Sequence, residues 1–154
     1  MNKQLQKLEK LRHFLLKEIS SLTTEQLNTI PDGFSNNIIW NLAHLVSATQ
    51  LIFYKRAGLP LTIHKQYITP FLPGSKPGTL ISNEDIDAIK ELSISTIGGM
   101  QTDYENQSFD NYKKSENLER YYGIEVLTIE DAIEFLLYHE GYHSGKIIAL
   151  KHLV

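Results

Sequence analysis

The sequence predicts an all-α protein, a four-helix bundle with long crossover connections. Apolar residues recur at three- and four-residue steps in four long segments, which is the spacing of amphipathic helices. Two long connections, at residues 57–81 and 107–127, separate these segments and contain most of the prolines. We infer a bundle that is not simple up-down-up-down, formed as a single domain over residues 1–154.

The first long helix is predicted over residues 2–20. A short helical turn should follow it, because Thr23 and Gln26 fit the capping-box pattern. The apolar stripe of the first helix consists of Leu5, Leu8, Leu11 or Arg12, Leu15, Ile19 and Leu22.

The second long helix is predicted to begin after Ser35 as its N-cap and to run to about Arg56. Gly58 and Pro60 end it. The connection over residues 57–81 should be a loop, with at most a short strand or turn.

The third long helix begins after the cap residue Ser82 and continues to about Asn106. Gly98 and Gly99 weaken its interior, and either close helix approach or a kink would explain the pair. The fourth begins after the cap residue Thr128. Its apolar stripe is Ile133, Leu136, His139, His143, Ile147 and Leu150.

Composition excludes several classes of function. The 15 basic and 18 acidic residues give a net charge of −3 without a basic block, so we expect no nucleic-acid partner. The absence of cysteine excludes disulfides, thiolate ligands and cysteine nucleophiles. The N-terminal segment lacks the apolar core of a signal peptide, and no stretch is long and apolar enough to span a membrane. We therefore expect a cytoplasmic protein with no membrane partner.

A pair of histidines in the fourth helix is the most informative motif. His139 and His143 lie one turn apart on one helix face, close enough to hold one metal ion. Two surface or hydrogen-bonded histidines are the competing interpretation. The pair shares its stripe with apolar residues, which predicts that it faces the interior. Buried imidazoles need polar partners, and a metal ion would satisfy both.

The pair also matches H-E-x-x-H, the signature of zinc proteases. The chain after His143 contains no acidic residue that could be the third ligand. Lys146 and Ala149 stand where the longer signature needs glycine and histidine, and His152 points to the opposite side of the helix. A zinc protease is thus the weakest interpretation, and a third ligand must come from another helix.

His44 in the second helix is the candidate third ligand, one turn after Trp40 on a mostly apolar face. A core histidine satisfied by hydrogen bonds is the alternative. Three neutral imidazoles would leave coordination positions open, as in catalytic zinc sites. Metal affinity should then fall below about pH 6.5, where free histidine is protonated. The other histidines, His13, His64 and His152, are predicted to be surface or loop residues.

Glu140 is the candidate catalytic residue, as a proton acceptor beside the metal ligands. Its competing role is a solvated helix carboxylate, because it lies about 100° from the histidine stripe. Tyr138 and Tyr142 flank the ligands, and would shape a pocket or pack in the core. Gly145 is predicted to permit close helix packing.

At these residues the chain resembles the DinB-like family, the DinB/YfiT superfamily of metal-binding four-helix bundles. The matching segments are residues 39–45 in the second helix and 139–147 in the fourth, with their histidines about 95 residues apart. The Gly58-Leu59-Pro60 exit and the loop at residues 74–77 also match. The resemblance covers essentially the whole chain.

The resemblance implies an up-down-down-up bundle that holds a divalent metal, often zinc or nickel, through three histidines. By position these are His44, His139 and His143. It also implies a homodimer, and some members are thiol S-transferases that use bacillithiol, mycothiol or glutathione. The leading hypothesis is a metal-dependent thiol S-transferase or hydrolase with a small-molecule substrate and, for the transferase, a low-molecular-weight thiol cosubstrate. The alternative is a non-catalytic dimeric stress or interaction bundle with structural or incidental metal.

Overall fold

The computed structural model describes residues 2–154, and within them every regular element is a helix. The prediction of an all-α fold is therefore confirmed. In chain order, the α-helices are α1 (Lys3–Glu18), α2 (Thr24–Asn28), α3 (Ile38–Thr49), α4 (Asn83–Glu105), α5 (Glu116–Tyr122) and α6 (Ile129–Lys151).

Side-chain caps set where most of these helices begin. Ser82 and Thr128 cap α4 and α6, and Thr23 forms the capping box that starts α2, as the sequence predicts. The prediction of Ser35 as the cap of α3 is wrong. Asn37 caps that helix instead, with its side-chain oxygen accepting the Trp40 backbone N–H at 2.8 Å.

The central helix of the bundle is α3, in which all twelve residues are buried. It continues into a π-helical segment, Gln50–Lys55, before the chain leaves the bundle. The Gln50 side-chain oxygen accepts the backbone N–H of Thr62 at 2.8 Å. This hydrogen bond ties the start of the first long connection to the end of the helix it follows.

Four long helices form the bundle: α1 and α3 each pack against both α4 and α6. The Asn2 backbone N–H donates to the Gln101 side chain at 3.1 Å, so the beginning of α1 meets the later part of α4. Lys151 and Glu18 pair at 3.0 Å, which brings the ends of α1 and α6 together. These two contacts show which ends of the neighbouring helices meet.

The two long connections contain more helix than the sequence predicts. Residues 57–81 form two short 3₁₀ turns, Lys65–Tyr67 and Thr69–Phe71, rather than a strand. The second connection contains α5, none of whose residues is buried. Each connection also places side chains in the core, Phe71 from the first and Phe109 and Val126 from the second.

The helix glycines do not mark close packing. Gly98 and Gly99 are exposed in an uninterrupted α4, and a Cβ atom added to either would meet nothing within 4 Å. The same holds for Gly145 in α6. Close helix approach is therefore the wrong explanation for all three.

No helix within residues 2–154 combines the length and the apolar character needed to cross a membrane.

Candidate metal centre

Helices α3 and α6 bring three imidazoles together inside the bundle. One ring nitrogen from each of His44, His139 and His143 lies within 4.8 Å of the others. The three side chains are buried, with 5%, 6% and 5% of their surfaces exposed. The structure thus assembles the three histidines that the sequence analysis selected, from segments far apart in the chain.

The His44 ring is oriented by a backbone carbonyl of the first long connection. Its Nδ1 lies 2.7 Å from the carbonyl oxygen of Phe71, which can only accept a hydrogen bond. Nδ1 therefore carries the proton, and the lone pair is on Nε2. The ring of Trp40 stacks on His44 with centroids 5.0 Å apart and an interplanar angle of 6°, which fixes the ring plane.

Asn41 orients the His143 ring in the same way. Its Oδ1 lies 2.8 Å from Nδ1 of His143. The Asn41 amide nitrogen donates to the side-chain oxygen of Asn36 at 2.9 Å and to the backbone oxygen of Asn37 at 2.7 Å. These two donations require the amide oxygen to face His143, so Nδ1 of His143 is the donor and Nε2 has the lone pair.

His139 completes the cluster. Its Nε2 lies 3.3 Å from Nε2 of His44. Two nitrogens bound tetrahedrally to one zinc ion at about 2.0–2.1 Å would be separated by about 3.4 Å, so this spacing fits shared coordination. Within residues 2–154, Nδ1 of His139 is buried without a hydrogen-bond partner. The ring stacks instead on Phe135, with centroids 6.0 Å apart.

All three imidazoles are held in the neutral form, which is the form that binds cations. Burial lowers the pKa of His139 to about 3 and the pKa of His143 to about 2, with the neighbouring histidines acting in the same direction. Burial also lowers the pKa of His44, although its hydrogen bond to Phe71 opposes the shift. The fall in metal affinity predicted below about pH 6.5 should therefore begin at a lower pH, because that prediction used the pKa of free histidine.

Glu140 lies inside the bundle and forms an ion pair with Arg12. The Arg12 guanidinium donates to both carboxylate oxygens, from Nη2 at 3.0 Å and from Nε, and both side chains are fully buried. The guanidinium also donates to the backbone oxygens of Ser93 at 3.0 Å and Leu45 at 3.2 Å. Arg12 therefore connects α1 to the other three bundle helices.

The interpretation of Glu140 as a solvated carboxylate is wrong, because its side chain has no exposed surface. Its role as a proton acceptor stays a prediction, with both oxygens already accepting from Arg12. A signal for this pair was present in the sequence. Arg12 occupies an apolar-stripe position of the first helix, where a buried cation requires an anionic partner.

The remaining candidate residues lie on the surface. Tyr138 and Tyr142 are 54% and 51% exposed, so the interpretation that they pack in the core is wrong. His13, His64 and His152 are exposed, as predicted. Sequence reasoning missed the orienting atoms, which are the Asn41 amide and the Phe71 carbonyl.

Fold and site together define a class of protein, a helical bundle with a buried cluster of three neutral histidines suited to a divalent cation. The family model of the DinB superfamily matches residues 7–147, and the chain belongs to that superfamily. Neither a curated protein nor a solved structure gives a significant match.

Proposed function

We propose that this protein is a divalent-metal-dependent enzyme whose ligands are His44, His139 and His143. It acts on a small molecule as a thiol S-transferase or a hydrolase, with zinc or nickel as the metal. The transferase uses a low-molecular-weight thiol as cosubstrate. The supporting observation is the convergence of three buried imidazoles. In His44 and His143, a hydrogen-bond acceptor outside the cluster holds the Nδ1 proton and leaves the Nε2 lone pair for a metal.

The ligand set suits catalysis better than structural binding. Three protein ligands leave open coordination positions, whereas structural zinc sites use four. When bound, a divalent ion would stabilise the anionic form of a water or thiol, because neutral imidazoles do not reduce its charge. The Asn41 amide and the Phe71 carbonyl hold the rings in place, and burial of the cluster limits access by bulk water.

The proposal extends to the assembly. We propose an up-down-down-up arrangement of α1, α3, α4 and α6 in a single domain, which the contacts between helix ends support. On resemblance to the family, we also propose a homodimer that is located in the cytoplasm and has no nucleic-acid or membrane partner. Sedimentation velocity over a range of protein concentrations tests the dimer directly.

A second candidate function is a non-catalytic dimeric stress or interaction bundle with structural or incidental metal. The observation that favours it is the Arg12–Glu140 pair. Glu140 is adjacent to a ligand in sequence, but Arg12 occupies both of its oxygens. A site with no free base beside it would have to obtain its proton acceptor from the substrate or from solvent.

Metal analysis tests the site itself. Protein prepared without chelators should contain about one zinc or nickel per chain, with anomalous scattering at the three imidazoles. The variants His44→Ala, His139→Ala and His143→Ala should each lose most of it. His152→Ala removes an exposed histidine from the same helical region and should retain full metal content. Equal metal content in all four variants would contradict the assignment of the three histidines as metal ligands.

Turnover then separates the two functions. Purified protein is assayed with a panel of low-molecular-weight thiols, electrophiles and hydrolysable esters, before and after chelation. Metal-dependent turnover that His139→Ala abolishes supports the enzyme. A large metal-induced rise in melting temperature without turnover on any substrate supports the non-catalytic bundle.

A further inference from the structure

An exposed aromatic surface lies beside the histidine cluster. It consists of Tyr122 from α5 together with Tyr138 and Tyr142 from α6, and we call it the tyrosine face. These side chains are 48%, 54% and 51% exposed, which is unusual for three large aromatic residues in one place. Singly exposed aromatic residues need no explanation, but a contiguous group beside a candidate reactive centre does.

Ring contacts link the tyrosine face to the histidines on two sides. Tyr122 lies 6.2 Å from Tyr138 and 5.4 Å from Phe135, measured between ring centroids. Phe135 in turn stacks on His139. On the other side, the edge of the Tyr142 ring meets His143, with centroids 5.0 Å apart. A planar group that contacts the tyrosine face is therefore close to the cluster.

Lys146 adds a positive charge to the same surface. Its Nζ lies 5.1 Å from the centroid of the Tyr142 ring, one turn beyond His143 on α6. Within residues 2–154, Lys146 forms no salt bridge with a carboxylate. Lys146 lies three residues after His143 on the same helix, which places its charge beside the cluster.

The charges around the cluster are unbalanced. Glu140, the acidic residue next to a ligand, is neutralised by Arg12 inside the bundle. The metal-binding group itself contains three histidines and no carboxylate. A divalent ion would therefore add its charge to that of Lys146, and an anionic ligand would be attracted to both.

We propose that the tyrosine face and Lys146 form the binding site for a small molecule that combines a planar aromatic ring with an oxyanion such as a carboxylate. The tyrosine rings contact the planar body and Lys146 pairs with the anion. The inference rests on the proposed metal-dependent function and names its substrate class. Aromatic contact supplies apolar burial, and the single lysine orients the ligand.

The first test uses two probes of similar shape, one anionic and one neutral. Benzenesulfonate is an anion whose sulfonate group coordinates metals weakly, and methyl phenyl sulfone is its neutral counterpart. Dissociation constants are measured by ligand-observed NMR on the zinc-loaded protein and on chelated protein. Benzenesulfonate should bind the zinc-loaded protein at least about fivefold more tightly than the sulfone, the size of one partly shielded ion pair.

Two variants with the same change in charge test Lys146. In Lys146→Gln the preference for benzenesulfonate should fall by about fivefold, while affinity for the sulfone is unchanged. Lys10→Gln removes an exposed lysine of α1 and should leave both affinities as they were. Equal preferences in the two variants would overturn the role of Lys146.

Ring removal tests the tyrosine face. Tyr138→Leu and Tyr142→Leu keep an apolar side chain but remove the ring, and each should weaken both probes by about threefold or more. Tyr121→Leu is the matched control, because Tyr121 is 70% exposed and packs against Arg120 instead. Circular dichroism confirms that each variant is folded.

Three outcomes distinguish this inference from the function on which it rests. Metal binding with no preference between the probes overturns the inference and leaves the metal centre standing. A charge preference in protein that binds no metal supports the ligand site and overturns the metal-dependent function. Self-association that Tyr138→Leu and Tyr142→Leu abolish, without probe binding, would assign the tyrosine face to a second copy of this chain and overturn the inference.

Discussion

Asn41 accepts a hydrogen bond from His143 across the contact between α3 and α6, with 2.8 Å between Oδ1 and Nδ1. The amide nitrogen of Asn41 is occupied by Asn36 and by the backbone of Asn37, so the direction of this hydrogen bond is fixed. A residue that binds no metal itself thereby presents Nε2 of His143 to the cluster. Outer hydrogen bonds of this kind are as much a part of a metal site as its ligands.

Replacing Asn41 should therefore weaken metal binding without touching a ligand. Asn41→Ala removes the acceptor, and we expect zinc affinity to fall by about 10- to 100-fold. Asn41→Asp keeps an oxygen toward Nδ1 but loses the donations to Asn36 and Asn37, so its affinity should fall less than that of Asn41→Ala. Competition with a chromogenic chelator measures both. Asn111→Ala, at an exposed position, is the control, and affinities that match across all three variants would contradict the assignment.

The buried pair between Arg12 and Glu140 should matter for stability. Arg12→Met leaves a carboxylate buried without its partner, and we expect the free energy of unfolding to fall by about 3–5 kcal/mol. The double variant Arg12→Met with Glu140→Leu removes both charges and should recover much of that loss. Urea unfolding followed by circular dichroism gives the free energies.

A surface ion pair provides the comparison. Glu18→Gln breaks the partly exposed contact with Lys151 and should cost less than about 1 kcal/mol. If Arg12→Met costs no more than Glu18→Gln, the buried pair does not hold the four helices together. If the double variant is as unstable as the single one, the contacts from Arg12 to the carbonyls of Ser93 and Leu45 dominate instead.

The lowered pKa values of the histidines predict how stability depends on pH. Burial holds the pKa of His139 at about 3 in the folded protein, whereas an unfolded histidine titrates near 6.5. Between these values the unfolded chain binds more protons, so metal-free protein loses stability as pH falls below about 6.5. The slope should reach roughly 1.4 kcal/mol per pH unit for each such histidine.

The metal affinity of the folded protein should depend on pH less than its stability does. Because burial keeps the imidazoles of His139 and His143 neutral in the fold, protonation of these two ligands should not weaken zinc binding between pH 7 and pH 5. Urea midpoints and chelator competition across this range test both expectations. His139→Gln should flatten the dependence of stability on pH, and an unchanged slope in that variant would refute the contribution of this histidine.

The exposed glycines of α4 should be replaceable with a gain in stability. Gly99 lies in a helix interior with open space around it, so Gly99→Ala should stabilise the protein by about 0.5–1 kcal/mol. Gly123 ends α5 with a φ angle of +67°, where alanine is strained, and Gly123→Ala should destabilise it. Thermal melts of the two variants should therefore shift in opposite directions.

The sequence predicts the long helices and the pair His139 and His143 because both follow from local spacing, whereas His44 is predicted from its apolar helix face and from the resemblance to the family. Caps such as Ser82 and Thr128, and the stripe that carries His139 and His143, can be read from neighbouring positions. The capping of α3 by Asn37 was missed because Ser35 offers an equally suitable side chain two residues earlier. Local pattern does not decide between two suitable cap residues that lie two positions apart.

The partners of the site residues could not be predicted in the same way. The acceptor for His44 is the backbone oxygen of Phe71, and any residue type supplies such an atom. The partner of Glu140 is Arg12, 128 positions away, and only the assembled bundle brings them together. Periodicity locates a residue on a face of its helix but leaves open which residue faces it from another.

The hydrogen bond from His44 to Phe71 makes the first long connection part of the site. Opening this segment would allow the His44 imidazole to rotate. It would also expose to solvent the side of the cluster on which Trp40 lies. Cleavage of the backbone within residues 57–81 should therefore loosen a bound ion although the cut removes none of the three ligand residues. The affinity for the ion therefore depends on the intact loop as well as on the three histidines.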